Sequence, residues 1–558
     1  MKKIFALILA LLMIVSVFTA CDGEIIIIGG ESDIEYDFTV KPTGKQTEKQ
    51  TEKNTEKQSE KNTEKQSEKK TDKEIFTQVI PEEDFDFDGE KISILVRDTL
   101  NCQREWYKDV TEDVLDEVIA MRNESVGQAL NIEAQYTLVA NSMYQDCLDI
   151  FTRSIKDDVD GDFHYYDVAA NYAYAGANEQ IRDYITNLAD KETFPYFEFS
   201  LPCWNQSIVD NLTVNGLLYY VTGDLNLSTF DKTVAIFLNK TMYDRKKTVD
   251  DPEDLQDVAI DGDWDYELLY RWSSVFEETN NKNGDQHDDF HAISSPFSSI
   301  PVDAFSSAWD LEFITEKADG SHAYNIVGNS KIENAVTDLQ ALLDETKAAG
   351  VCNSDETMNC TLGGYTEPIT HFACDKSIFA IHFLYFTEED NVNIREMSSE
   401  FGILPLPKYD AAEQENYSTT AHDSYTLMTV IDHGGSSVPT KGDAISAYLQ
   451  YSYEESYINI RGYYIDRIVK PKYFGIDDTN DSVVKSRKIF DMIADNIEFS
   501  FASVYAPQLN GVLAQCWRDV VTGWHDTGAT TPEDAFLSDE STYVSALENV
   551  DKWLGVRK

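Results

Sequence analysis

An α/β fold built on doubly wound, mainly parallel sheets is what this chain predicts, and three observations predict it. Between residues 92 and 170, strand-like apolar runs alternate with helically spaced ones in a β-α-β-α-β order. Two further buried runs, 234–238 and 378–383, stand in a later stretch that is otherwise mostly helical. With 558 residues, 42% of them hydrophobic, the chain can bury two large units or about three of ordinary size.

The amino terminus sets the folded part aside. Lys2 and Lys3 precede an apolar run, 4–18, that is short for a membrane span, and Thr19-Ala20 places small residues before Cys21. This resembles a bacterial lipoprotein signal, with Phe18 where leucine is usual. Cleavage after residue 20 would leave Cys21 to carry lipid. A tract of period four follows from Thr47 (TEKQ, TEKN, TEKQ, SEKN) and offers no apolar side chain to bury. Each glutamate there faces another four residues on, which opposes a helix. Residues 21–80 therefore read as a lipid-anchored, low-complexity spacer.

The folded body is expected to begin near Phe85, after the turn-rich Asp84-Phe85-Asp86-Phe87-Asp88-Gly89. Residues 92–96 predict the first strand, 114–130 a helix, 132–136 a second strand, 144–155 a helix and 166–170 a third strand. Ligands of such sheets sit beyond the carboxyl ends of the strands, which points to Arg97, Asp98, Asn171 and Tyr172. The runs 217–221 and 234–238 predict strands, with a polar loop between them that carries Gly223-Asp224. Residues 332–349 predict a helix stopped by Gly350, and 378–383 and 425–431 predict strands. Residues 443–457, 481–497 and 543–554 predict helices.

The net charge of −54 lies almost wholly on this body, since residues 45–74 hold eight acids and nine bases. So acidic a body repels phosphate backbones and excludes nucleic acid as a partner. It also disfavours an anionic ligand unless the site brings its own cations. Apart from Cys21 there are seven cysteines, an odd number with no C-x-x-C, so neither a disulfide framework nor a zinc knuckle is indicated. Cys352 and Cys360 could close a small loop or stand as separate thiols. There is no G-x-S-x-G and no H-E-x-x-H, and Gly434 to Lys441 has Thr440 where a phosphate loop needs glycine. Asn281, Asn283, Asp285 and Asp289 place oxygens at alternating positions, as in a calcium loop. Gln286 and Ala292 stand where glycine and a bidentate glutamate belong, so a polar turn is favoured and no metal or cofactor is expected.

The order of segments carries a resemblance. The stretch NGLLYYVTGD, then the run 234–238 ending in Asn239-Lys240, resembles the first interlobe crossover of carbohydrate-type (family 1) extracellular solute-binding proteins of bacterial ABC importers. Trp264-Asp265-Tyr266-Glu267-Leu268-Leu269 is similar to that family's Trp-x-Trp/Tyr-x-x-Leu helix start. Phe401-Gly402-Ile403-Leu404-Pro405-Leu406-Pro407 is similar to its Gly-x-Leu-Pro-Leu-Pro segment. Each motif alone is weak; the ordered set spans residues 85–558.

The resemblance implies a two-lobe periplasmic-binding-protein-like type II fold with ligand in a cleft at the hinge. Lobe one would hold 85–233 plus 430–480, and lobe two 234–429 plus 481–558. It implies a non-enzymatic, monomeric receptor on the extracellular face, whose partners are a carbohydrate, the importer's permease subunits and, through lipid alone, the membrane. The same fold binding a peptide or other polar solute, a surface glycan-degrading enzyme and a tethered sensor are the rival readings. A neutral sugar needs aromatic rings against its C–H faces and carboxylates or amides for its hydroxyls. That chemistry selects Trp106, Asn171, Tyr172, Trp204, Asp224, Trp309, His422 and Asp423 as candidate contacts. Trp264, Trp517 and Trp553 are expected to pack in cores.

Overall fold

A computed structural model describes residues 85–98, 105–106, 114–140, 166–247, 254–275, 291–295, 299–343, 348–349, 367–384, 394, 397–432, 441–462, 465, 479–523 and 528–557. Cys21, the spacer, the expected helix at 144–155, the 281–289 loop, Cys352 and Cys360 lie outside the described residues.

The chain opens with β1 (Glu90–Asp98), α1 (Val114–Leu130), β2 (Ile132–Ala140) and β3 (Val168–Tyr172). It continues through β4 (Val234–Asn239), β5 (His291–Ser294), α2 (Ser299–Ala308), a hairpin of β6 (Ile314–Glu316) and β7 (His322–Tyr324), α3 (Ser330–Leu342) and β8 (Ala348–Ala349). Then come β9 (Ser377–Phe383), β10 (Phe401–Leu404), β11 (Thr426–Val430), α4 (Gly442–Glu455), α5 (Asp481–Ala494), α6 (Pro532–Ser538) and α7 (Glu540–Trp553). Asparagines open two of these helices: Asn329 accepts from the amides of Lys331 and Ile332, and Asn480 from those of Ser482 and Val483.

Two sheets define two lobes. In the first the order is β11-β3-β1-β2, with β1, β2 and β3 parallel and β11 reversed against β3. In the second the order is β10-β4-β9-β5-β8, with β5, β8 and β9 parallel and β4 reversed between β9 and β10. The first sheet thus has three strands running one way and the second has four, β10 among them, and each takes one reversed strand delivered from across the molecule. Every residue of β4, β9 and β11 is buried, as strands covered on both faces must be. This is the two-lobed α/β architecture the sequence predicts.

Three segments cross between the lobes side by side. Thr233 bridges Ala421 antiparallel, and Thr419 bridges Ile497 in parallel. The Thr419 hydroxyl donates to the Val234 carbonyl at 2.8 Å, and the Glu498 amide donates to the Thr419 carbonyl at 2.8 Å. This short ladder is the hinge.

Some local expectations change. The run 217–221 is extended but forms only single bridges, Val214 to Leu217 and Val221 to Met428, because Asn215 and Gly216 turn the chain with positive φ just before it. The expected helix 332–349 ends at Leu342, and 348–349 instead adds an edge to the second sheet. The stretch 499–508, expected with lobe two, bonds to lobe one: the Phe499 amide donates to Ser207, and the Gln508 amide group donates to the Ala177 carbonyl.

Candidate functional site

A cavity of about 640 Å³ opens between the lobes beside the hinge, within the range of small-ligand sites. Lobe one contributes Ala173 and Tyr174, directly after β3, with Asn211 and 498–504. Lobe two contributes Asp303, Ser306 and Ser307 of α2, the loop 310–313 and Trp517-Arg518. The hinge segment contributes Thr420, Ala421, Asp423 and Tyr425. The cavity lies where the strand-end rule places ligands, at the carboxyl end of β3.

Asp423 is held in place from several sides. Its carboxylate accepts from the Tyr172 hydroxyl at 2.8 Å, and its carbonyl accepts from the Tyr174 amide at 3.3 Å. The His422 Nδ1 lies 3.1 Å from the same carboxylate and 3.1 Å from the Ser424 hydroxyl. Burial holds the His422 imidazole below its usual pKa, against the pull of Asp423. The Arg97 guanidinium covers the Tyr172 ring at 5.0 Å and donates to the Ser424 carbonyl at 2.9 Å. Asp423 therefore presents a fixed acceptor to the cavity.

Arg518 faces it from lobe two, clasped by both oxygens of Asp303, with Nε to Oδ1 at 2.7 Å. Tyr174 keeps its hydroxyl proton, since burial raises its pKa. Aromatic side chains complete the walls: Phe499 against Tyr425 at 4.5 Å, Phe501 stacked on His322 at 4.1 Å, and Phe313 against Trp517 at 5.7 Å. Ser307 and Ser418 join α2 to the hinge by a 3.1 Å hydroxyl contact. The site offers fixed acceptors, neutral hydroxyls and ring surfaces. Among the described residues, no group of His, Cys, Asp and Glu is placed to hold a metal ion.

Of the residues expected from sequence, Asp423 lines the cavity, with Tyr172 and His422 directly behind it. The three tryptophans do not line it. Trp204 is 1% exposed, stacks on Tyr453 at 4.0 Å and donates to Gln450 at 3.1 Å. Trp309 is enclosed by Phe305, Tyr266 and Tyr409. Trp106 is buried in lobe one, its carbonyl taking a bond from Asn123. Each indole finds more apolar contact inside a lobe than at its edge.

Asp224 adjoins Trp204, since Gly223 bridges Trp204 and the Asp224 amide donates to the Cys203 carbonyl. Both lie in the interior, with the Asp224 carboxylate 3.4 Å from Arg461. Burial pushes Asp224 up to about 6, against that guanidinium. Asn171 is buried in β3, where its side chain accepts from the Tyr172 amide. The three are therefore not gathered on the cavity. Missed were Tyr174, Asp303, Glu498, Phe499, Phe501 and Arg518. The alternation Glu498-Phe499-Ser500-Phe501, just past a helix end, was a legible signal. Nothing in sequence singles out Arg518 or Asp303.

No family model matches the chain, and no curated protein matches it. Among solved structures it is similar to maltose-bound MalE3 of T. maritima, at 14% identity over 83% of this chain and 100% of that one, TM-score 0.45. It is similar to the galacto-N-biose/lacto-N-biose I-binding protein of the ABC transporter from Bifidobacterium longum, in complex with lacto-N-biose (14%, 84% and 98%, TM-score 0.46). It is also similar to the sugar-binding protein MalE from Xanthomonas citri (12%, 83% and 97%, TM-score 0.47).

Proposed function

We propose that this protein is a receptor that captures a carbohydrate between its two lobes and delivers it to an ABC importer, acting without a reaction of its own. The observation that carries the reading is the cavity itself: it lies beside a three-segment hinge and is lined from both lobes. A ligand there touches both halves, so binding favours the closed arrangement in proportion to the contacts closure adds.

The lining suits a polyhydroxylated solute. Asp423 accepts from a hydroxyl, the Tyr174 hydroxyl donates or accepts, and the rings of Phe499 and Phe501 take C–H faces. The lipoprotein-like start supports tethering through Cys21 at the extracellular face, with the repeat as spacer. Among the described residues no helix is long and apolar enough to cross a membrane.

The test is a saccharide panel read by thermal shift and titration calorimetry. A bound sugar should raise the melting temperature, by the equivalent of about 2.7 kcal/mol at a hundredfold excess over Kd. The sugar should be recovered unchanged. Hydrolysis of the bound sugar would make the protein an enzyme, and binding of peptides alone would remove the carbohydrate reading.

A further inference from the structure

We infer that Glu105, which does not line the cavity, is a positioning residue for ligand binding: it fixes the segment that carries Asp423, and through Asp423 it sets the affinity. This deepens the receptor reading above and rests on it.

Glu105 is fully buried in lobe one. Its place is fixed by α1, whose Arg122 donates to the Glu105 carbonyl at 2.6 Å and to the Ser456 hydroxyl at 3.0 Å. Each oxygen of its carboxylate has its own partner. Oε1 accepts from the Ser228 amide at 2.6 Å, and Oε2 from the Thr426 hydroxyl at 2.5 Å. Ser228 opens the short helical turn, Ser228–Asp231, that leads into the first crossing at Thr233. Thr426 begins β11, where the second crossing, which carries Asp423, enters lobe one. The Ser228 hydroxyl ties the two directly, accepting from the Thr426 amide at 2.9 Å and donating to the Thr426 hydroxyl at 3.2 Å. One carboxylate therefore joins two crossings on the lobe-one side of the hinge. Burial raises the Glu105 pKa, and the bonds from Ser228 and Thr426 and the charge of Arg97 oppose that rise.

Every residue from 423 to 426 is anchored to lobe one. Tyr172 holds the Asp423 carboxylate, Arg97 the Ser424 carbonyl, the Ala173 amide the Tyr425 carbonyl at 3.0 Å, and Glu105 the Thr426 hydroxyl. Thr426 also pairs with Tyr172 in the sheet register. The residue that Glu105 grips thus sits opposite the residue whose hydroxyl aims Asp423. A buried carboxylate that loses one of its donors costs more than the bond itself was worth, so the surrounding segment shifts to relieve it. Binding groups need support to a fraction of an ångström from the side chains behind them, so a slackened 423–426 segment loses affinity even with Asp423 present.

The experiment is a double-substitution cycle read by calorimetry on the full chain, with glucose, galactose, maltose and lactose as probes. Thr426→Val removes the hydroxyl that bonds Glu105 and nearly keeps the side chain's shape. Thr426→Ser restores the hydroxyl, and Glu105→Gln removes the charge. Thr426→Val and Glu105→Gln should each weaken sugar binding by about fivefold or more, and Thr426→Ser should recover most of the valine variant's loss. On an Asp423→Ala background, Thr426→Val should change affinity by less than about twofold, because the group it positions is gone. In the sugar-free protein, Thr426→Val should speed hydrogen exchange over 423–426 and leave β9 in lobe two unchanged. Should Glu105→Gln not fold, the two Thr426 variants carry the test alone.

Equal losses on the wild-type and Asp423→Ala backgrounds, serine and valine variants that bind alike, or unaltered exchange over 423–426 would overturn the inference while leaving a sugar receptor in place. Failure of every one of these sugars to bind the wild type would instead count against the receptor reading. The exchange measurement, which needs no ligand, would then still decide whether Glu105 holds the segment.

Discussion

Two aspartates, Asp224 after the run 217–221 and Asp423 just before β11, have opposite fates. Asp423 stands on the cavity with its geometry set by Tyr172 and His422. Asp224 is enclosed with Arg461, which also reaches Asp495 at 2.9 Å. Asp423→Ala should therefore weaken ligand binding by about 1.5–3 kcal/mol, tenfold or more, with little change in unliganded melting temperature. Calorimetry and thermal melts on one preparation separate the two effects. Burial raises Asp224 to about 6 and Glu454 to about 7. A carboxyl whose folded pKa is raised binds more protons folded than unfolded, so it favours the fold at low pH. That advantage is lost as pH rises from about 4, the unfolded value, through about 6 to 7. Asp224→Asn with Glu454→Gln should flatten this fall. Relative to wild type, the variant's melting temperature should be higher at about pH 8 than at about pH 4. A parallel profile for the two proteins would refute the assignment.

At the scale of elements, packing decides where helices and strands may lie. Helix α4 starts at Gly442, where an added Cβ would sit 2.1 Å from the Thr193 carbonyl oxygen. Gly442→Ala should displace that helix end and cost about 1–3 kcal/mol, read by chemical denaturation. After α4 the chain widens into π-type turns over Ser456–Arg461, which carry Arg461 to Asp224 and Asp495. Trp204 packs against α4 through Tyr453 and Gln450. Trp204→Ala should cost about 3–5 kcal/mol of stability, with ligand affinity near wild type once folded. A tenfold affinity loss without a stability loss would put Trp204 back in the binding site.

For the whole molecule, the relevant feature is that three crossings, not one, tie the lobes. The far side is tied as well: α7 packs on the β6–β7 hairpin of lobe two, while Trp553 at its end stacks on Tyr219 of lobe one at 4.2 Å. Motion between the lobes is therefore constrained to a narrow path around the hinge. Saturating sugar should reduce the radius of gyration measured by X-ray scattering, and an unchanged value would argue against closure. A chain beginning at Phe85 should bind with the full chain's affinity, since the preceding repeat carries nothing apolar to bury. Cys21→Ala should release the full chain from membranes, which fractionation checks.

What the sequence by itself determined is local and periodic. Strands such as 92–96, 234–238 and 378–383 announce themselves because both faces are buried and apolar residues run without interruption. The helix 114–130 was legible to the residue from its spacing. The two-lobed plan was legible through the family resemblance that the ordered motifs carry. At the site, Asp423 was legible because a sugar needs a carboxylate beside a ring, and His422-Asp423 offers that pair. The tertiary structure alone decided the rest. Whether a tryptophan stacks on ligand or on Tyr453 depends on neighbours 249 residues away in sequence, as for Trp204. Arg518 meets Asp303 across 215 residues, and that pairing cancels the one described guanidinium in the cleft. Contacts of that range follow from how two sheets exchange strands, and no local pattern of residue types encodes them.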